Sequence, residues 1–175
     1  AGIVHETAYS AADGCDFVFT CVGNDQDVKE VLNGPTGAID SLSEGAVIVD
    51  HTTASVTLAK ELANTCAERN IGFIDAPISG GQSGAVQGTL SIMCGGESDY
   101  YEKVQPVMGA YGKTMTLIGP SGSGQFTKMV NQILCAGAIQ GAAEAIAFGL
   151  KAGLEMKNVL NAVKNGAAGS WYLQN

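Results

Sequence analysis

Apolar residues in this chain come in short solid blocks, set apart by longer stretches of mixed character. Runs at 16–22, 46–49, 71–74 and 90–94 are apolar on both faces and rich in β-branched or aromatic residues. Such runs fit strands that are covered on both sides by helices. A further strand is read at 113–118. The intervening segments carry helical spacing: 6–13, 26–32 behind an Asn24–Asp25 cap, 56–69 and 97–107. In the third of these Leu58, Leu62 and Cys66 recur on one face, and Ser55 or Thr53 supplies the cap. Strand and helix in alternation predict an α/β fold, a partial Rossmann-like sheet with mostly parallel strands.

After Gly119 the pattern changes. Residues 120–124 (Pro-Ser-Gly-Ser-Gly) are a flexible punctuation, and 125–153 then reads as one long helix studded with Gly and Ala. A second helix is predicted at 156–164. Glycine inside a helix costs about 1 kcal/mol relative to alanine, so Gly137, Gly141 and Gly149 suggest close packing against another helix. The expected organisation is a sheet domain over 1–120 and the first helices of an all-α domain over 121–175. The tail carries an exposed-looking Trp171-Tyr172 pair.

Charge narrows the partners. A net charge of −8 over 175 residues, with no Lys/Arg run, argues against nucleic acid and anionic membrane surfaces. No signal peptide and no apolar run of bilayer-spanning length is read, so the expectation is a soluble cytoplasmic protein. Five cysteines without a CxxC pair point to free thiols, with Cys94 and Cys135 expected in the core. His5 and His51 fit no metal-ligand spacing, so no metal is expected, and His51 is read as a surface or capping residue.

Three polar loops follow predicted strands: 23–25, 50–55 and the glycine-rich 75–91. Ligands of open parallel sheets sit beyond the carboxyl ends of the strands, so these loops should converge on one crevice. A Gly/Ser-rich loop brings backbone N–H groups close to a carboxylate or phosphate, although a long turn-rich connection has the same composition. At the start of the long helix Lys128, Asn131 and Gln132 share one face. No acid lies between Ser121 and Ala143, and an amine in apolar surroundings can exchange protons near neutrality. A solvated surface lysine remains the plainer reading of spacing alone.

The stretch 75–90 (Asp-Ala-Pro-Ile-Ser-Gly-Gly-Gln-Ser-Gly-Ala-Val-Gln-Gly-Thr-Leu) resembles the substrate-binding signature of the β-hydroxyacid dehydrogenases. That family includes 3-hydroxyisobutyrate dehydrogenase, tartronate semialdehyde reductase and glyoxylate/succinic semialdehyde reductases. Residues 122–132 resemble its catalytic-lysine motif, 49–53 its Asp-x-Ser-Thr cofactor loop, and 21–24 its Leu-Pro-Asn loop. The resemblance implies hydride transfer between NAD or NADP and a short hydroxy acid or semialdehyde. It implies that Ser79, Gly80 and Gly81 bind the substrate carboxylate, with Lys128 as general acid/base. Asn131 and Gln132 would orient substrate, and Val22, Gly23, Asn24 and Thr53 would line the dinucleotide site. A homo-oligomer is implied for the complete protein.

Departures from the family pattern shape the expectation. The Gly-x-Gly-x-x-Gly fingerprint is absent, as are the carboxyl-terminal helices with their further lysine, so the chain is expected to be an internal, inactive piece of a longer enzyme. Gly23 replaces the usual Pro, and Thr52 the usual Ser. A 6-phosphogluconate-type enzyme would show Gly-Pro-Ser where Gly88-Thr89-Leu90 stands and a His-Asn pair in place of Asn131-Gln132. Imine reductases generally replace the lysine. A non-catalytic dehydrogenase-like scaffold is the alternative from another class, and the retained Lys128 argues against it.

Overall fold

The computed structural model describes residues 2–174. Contacts divide the chain into two compact units, Ala1–Lys128 and Met129–Asn175. The first is built on a sheet of β1 (Phe17–Thr20), β2 (Val47–Asp50), β3 (Gly72–Asp75), β4 (Ile78–Ser79), β5 (Leu90–Gly95) and β6 (Gly112–Gly119). Its order is β1-β2-β3-β5-β4, with β6 also paired to β5. β1, β2 and β3 run parallel in strict register, so Thr20, Asp50 and Asp75 end side by side. β5 is antiparallel to β3 and β4 and parallel to β6.

Because side chains alternate along a strand, β2 feeds two cores. Ile48 joins Val28, Leu32, Leu58, Leu62 and Phe73 on one face. Val47 and Val49 join Ile74, Ile92, Val104 and Met108 on the other. The helices that cover the sheet are α1 (Ala8–Ala12), α2 (Asp25–Asn33), α3 (Val56–Ala67), α4 (Gly81–Gln87) and α5 (Ser98–Met108). Ser55 caps α3 by accepting a hydrogen bond from the Leu58 N–H. The α/β expectation is met, with strand limits shifted by one or two residues.

Two local readings need correction. The stretch 75–91 is not a continuous loop: it contains the short strand β4 and the helix α4. Four glycines obscured that helix, which is anchored where Gly84 packs against Leu90. A 3-10 turn at Ala38–Ser41 was likewise unmarked in the pattern.

The long helix α6 (Ser123–Lys151) begins in the first unit and continues in the second, which adds α7 (Met156–Val163) and α8 (Trp171–Gln174). Within the second unit a side chain at Gly149 would run into Met156, which is the close helix packing expected there. Gly137 and Gly141 have open space around them within this chain. Trp171 packs edge-on against Tyr172 at 5.2 Å. The expectation that no stretch is long and apolar enough to cross a bilayer is also corrected. α6 has 29 residues and an 18-residue window of mean hydropathy 1.6, because its Ile, Leu, Cys and Ala raise the mean while Gly and polar residues interrupt any visible run. That is a statement of length and composition only.

The glycines divide into two kinds, and substitution should separate them. Gly96 has φ 150°, and a Cβ there would lie 2.7 Å from the Phe73 carbonyl oxygen. Gly96→Ala is expected to cost about 1–3 kcal/mol of stability. Gly137→Ala, in an open helical position, should stabilise by about 0.5–1 kcal/mol. Denaturant unfolding of the two variants checks both signs.

Candidate functional site

β3 ends in Asp75, which is fully buried. Its carboxylate oxygens accept hydrogen bonds from Gly122 N (2.7 Å) and Gln125 N (2.9 Å), so it caps the first turn of α6. The approach is close enough that a Cβ at Gly124 would meet the backbone oxygens of Asp75 and Met93. A strand end and a helix start nearly fifty positions apart in sequence are thereby pinned together.

The chain leaves Asp75 through buried Ala76 and Pro77 into β4, then turns at Gly80 (φ 132°) and Gly81 (φ 61°). Both φ values lie where L side chains are strained, which explains glycine at these two positions. Gly80 and Gly81 are exposed and Ser79 is half-buried. Lys128, one turn into α6, donates from Nζ to the Ile78 carbonyl oxygen at 2.7 Å. Its ammonium group therefore sits at the base of the Ser79–Gly81 turn and is not a freely solvated surface cation. Asn131 and Gln132 fall in the second unit, where Asn131 Nδ2 donates to Gln132 Oε1 at 2.9 Å.

The other two loops leave the adjacent ends of β1 and β2. Asp50 Oδ1 accepts from Thr20 Oγ1 (2.9 Å) and Thr52 N (3.0 Å), and Thr52 Oγ1 accepts from Val22 N (3.0 Å). These bonds tie the 22–24 loop to the 52–54 loop. Asn24 caps α2 through its side-chain Oδ1, which accepts from Gln26 N and Asp27 N. Gly23, Asn24 and Thr53 are exposed at the strand ends, and Val22 is half-buried.

Residues 1–119 match the family described as the NAD binding domain of 6-phosphogluconate dehydrogenase. Residues 122–175 match the one described as NAD-binding of NADP-dependent 3-hydroxyisobutyrate dehydrogenase. The chain belongs to the β-hydroxyacid dehydrogenase family. It is 48% identical over 170 residues to an uncharacterized oxidoreductase of Shewanella frigidimarina, covering 97% of this chain and 58% of that protein. With 2-hydroxy-3-oxopropionate reductase of Escherichia coli it shares 38% identity over 169 residues, again covering 97% of this chain and 58% of the relative. The crystal structure of 3-hydroxyisobutyrate dehydrogenase from Salmonella typhimurium superposes with a TM-score of 0.85 at 29% identity, covering 97% of this chain and 59% of that one. This chain thus spans a little under three fifths of the length of these relatives.

In a member of the β-hydroxyacid dehydrogenase family, the residues at these strand ends could hold one end of a dinucleotide. Thr53 presents an exposed hydroxyl, and Val22–Asn24 presents backbone, at adjacent ends of parallel strands. That arrangement suits the hydroxyl-rich sugar and nicotinamide end. The pyrophosphate does not fit at α2, whose first turn is capped by Asn24 and carries Asp25 and Asp27.

Several residues that shape this candidate site escaped the sequence reading. Gln125, 1% exposed, bridges Thr52 O and Ala54 N through its side-chain amide. His51 is not at the surface: it is 8% exposed, with Nδ1 2.6 Å from the Ala76 carbonyl oxygen and Nε2 2.7 Å from the Tyr111 hydroxyl. A carbonyl only accepts, so Nδ1 carries the proton and Nε2 accepts from Tyr111. Burial holds the His51 pKa below its usual value, which keeps the ring neutral. Its position directly after a buried strand was the available signal. Among the thiols Cys66 and Cys94 are buried, Cys15 and Cys135 are half-covered, and Cys21 is exposed. Placing Cys135 in the core is therefore corrected: it lies on a helix face that the chain only partly covers.

Burial pushes the Asp75 pKa up to about 6, against the pull of the backbone N–H groups of Gly122, Gln125 and Gly124. A carboxyl raised in the folded state contributes stability that is fully present below the unfolded value near 3.8 and is lost as pH rises through about 6. The depressed His51 acts oppositely, with stability present above about 6.5 and lost on acidification. Comparison with Asp75→Asn isolates the first effect. The stability of the wild type relative to this variant should fall as pH is raised from about 4 to about 7. Chemical denaturation of both proteins across that range reads it, and a pH-independent difference would remove the assignment.

Proposed function

We propose that this chain is the central part of an NAD(P)-dependent dehydrogenase that interconverts a short hydroxy acid and its semialdehyde. The observation that carries the reading is the Lys128 ammonium group seated on the Ile78 carbonyl, one residue before the Ser79–Gly81 turn. A carboxylate bound on that turn would receive hydrogen bonds from the Ser79 hydroxyl and the Gly80 and Gly81 backbone N–H groups. The carbonyl carbon of the same small molecule would then lie near the amine.

A bound nicotinamide supplies the hydride in reduction and accepts it in oxidation. Lys128 gives its proton to the carbonyl oxygen as the alcohol forms and takes it back in the reverse direction. Val22, Gly23, Asn24 and Thr53 hold the nicotinamide end, and Asn131 and Gln132 orient substrate by the roles their counterparts have in the family. The partners are a small carboxylic acid and a second copy of the protein, in the cytoplasm. No metal takes part.

The named activity of the Escherichia coli relative, a 2-hydroxy-3-oxopropionate reductase, supports a substrate of this size and charge. Full-length protein assayed with short semialdehydes and NADH or NADPH should oxidise the cofactor. Lys128→Ala should lower kcat by about 10²- to 10⁴-fold, the range for a lost general acid. A variant that keeps most of its kcat would sink the acid/base role. A protein that binds cofactor but reduces no semialdehyde would favour the scaffold alternative.

A further inference from the structure

We infer that Gln125 is a positioning residue that holds the cofactor-side loop in register with Lys128. This deepens the reading above and rests on Lys128 as the proton carrier. Gln125 is buried and bonds through its backbone N–H and both ends of its side-chain amide. Its backbone N–H donates to Asp75 Oδ2 (2.9 Å), its Nε2 donates to Thr52 O (2.7 Å), and its Oε1 accepts from Ala54 N (3.1 Å). The side-chain amide thus pairs with the backbone on either side of Thr53, much as a neighbouring strand would, and leaves the Thr53 side chain facing solvent.

The clamp reaches further through Thr52. The Thr52 hydroxyl accepts from Val22 N, and Val22 begins the other candidate cofactor loop. Three residues after Gln125, Lys128 lies about 4.5 Å further along the helix axis. Its Nζ is fixed on Ile78 O. One helical turn therefore carries both the clamp on the loops expected to hold the hydride donor and the amine that moves the proton. Hydride and proton must meet the two ends of one carbonyl bond, so an error of about 1 Å between these holders can cost up to about 100-fold in rate.

Glutamine is the residue the arrangement requires. A planar amide sets an N–H donor group and a carbonyl acceptor side by side, matched to a backbone C=O and N–H. Ionised glutamate offers acceptors only, so one oxygen would face the Thr52 carbonyl unpaired in a buried site. Protonated glutamate regains the donor. Gln125→Glu should therefore behave as a pH-dependent version of the wild type.

The test uses the full-length protein with Gln125→Glu, Gln125→Met and Lys128→Ala. With a short semialdehyde and NADH or NADPH, Gln125→Glu is expected to lose about tenfold or more in kcat at pH 8. Relative to wild type it should recover at least severalfold by pH 6, whereas the Lys128→Ala deficit should show no such recovery. Hydrogen exchange without cofactor gives a readout independent of turnover. The Ala54 amide should stay protected in Gln125→Glu and exchange quickly in Gln125→Met. Gln125→Met keeps the side-chain volume and also covers the case in which the glutamate variant fails to fold; it should lose kcat at all pH values, while the KM for the semialdehyde changes less than twofold. A wild-type kcat in Gln125→Met, or a Gln125→Glu deficit constant from pH 6 to 8, overturns the inference. If Lys128→Ala instead keeps full turnover, the acid/base reading fails, and the exchange data still report on the clamp.

Discussion

A buried carboxylate holds this molecule's site together. Asp75 closes β3 and at the same time caps α6, accepting backbone N–H groups from Gly122 and Gln125. A charge in that position is costly, and its pKa, raised to about 6, reflects the cost. What offsets it is directional: the unsatisfied N–H groups of a helix start are among the few buried partners that welcome negative charge. The result is a fixed joint at the one place where the glycine turn and the lysine helix could otherwise drift apart. Ile78 lies three residues after Asp75, and Lys128 three residues after Gln125, so the hydrogen bond between them closes a small ring around that joint.

A second layer of polar contacts extends the joint across the strand ends. Asp50, Thr20, Thr52 and Val22 form one chain of hydrogen bonds, and Gln125 connects it to α6. Every described buried side-chain nitrogen or oxygen in the structure has a partner, as such networks require if they are to rigidify and not destabilise. His51 and Tyr111 brace the same region from the other face through the Ala76 carbonyl. The Ser79–Gly81 turn, the 22–24 and 52–54 loops and Lys128 thus share one hydrogen-bonded base, although they come from separate parts of the sequence.

What the sequence disclosed follows from where its signals are local. Solid β-branched runs such as 46–49 pointed to covered strands, and the structure pairs that run with 72–75 in parallel. Lys128 stood out because no acid accompanies it, and the two long motifs supplied its role by resemblance. Gln125 could not be seen this way: its side-chain partners lie 71 and 73 positions back, and as a polar residue near a helix start it looks ordinary. His51 was misplaced for a related reason, since a polar side chain after a strand suggests solvent until the Ala76 carbonyl and Tyr111 are brought to it. The helix α4 was hidden because Gly81, Gly84 and serine have poor helix propensity, and tertiary packing overrode it.

The chain's acidity poses a last physical question, because a net charge of −8 repels the anionic ligands that the site is read to bind. The carboxylates nearest the loops are engaged locally. Asp25 accepts from Ser55 N, Asp27 from Gly23 N and Asn24 Nδ2, Asp50 from Thr20 and Thr52, and Asp75 from Gly122 and Gln125. Each has N–H or O–H dipoles pointed at it, which moderates its field where the ligands would sit. On the function proposed above, attraction for a carboxylate would rest on short-range features: the exposed Gly80–Gly81 backbone, the half-buried Ser79 and the Lys128 ammonium group set beneath them.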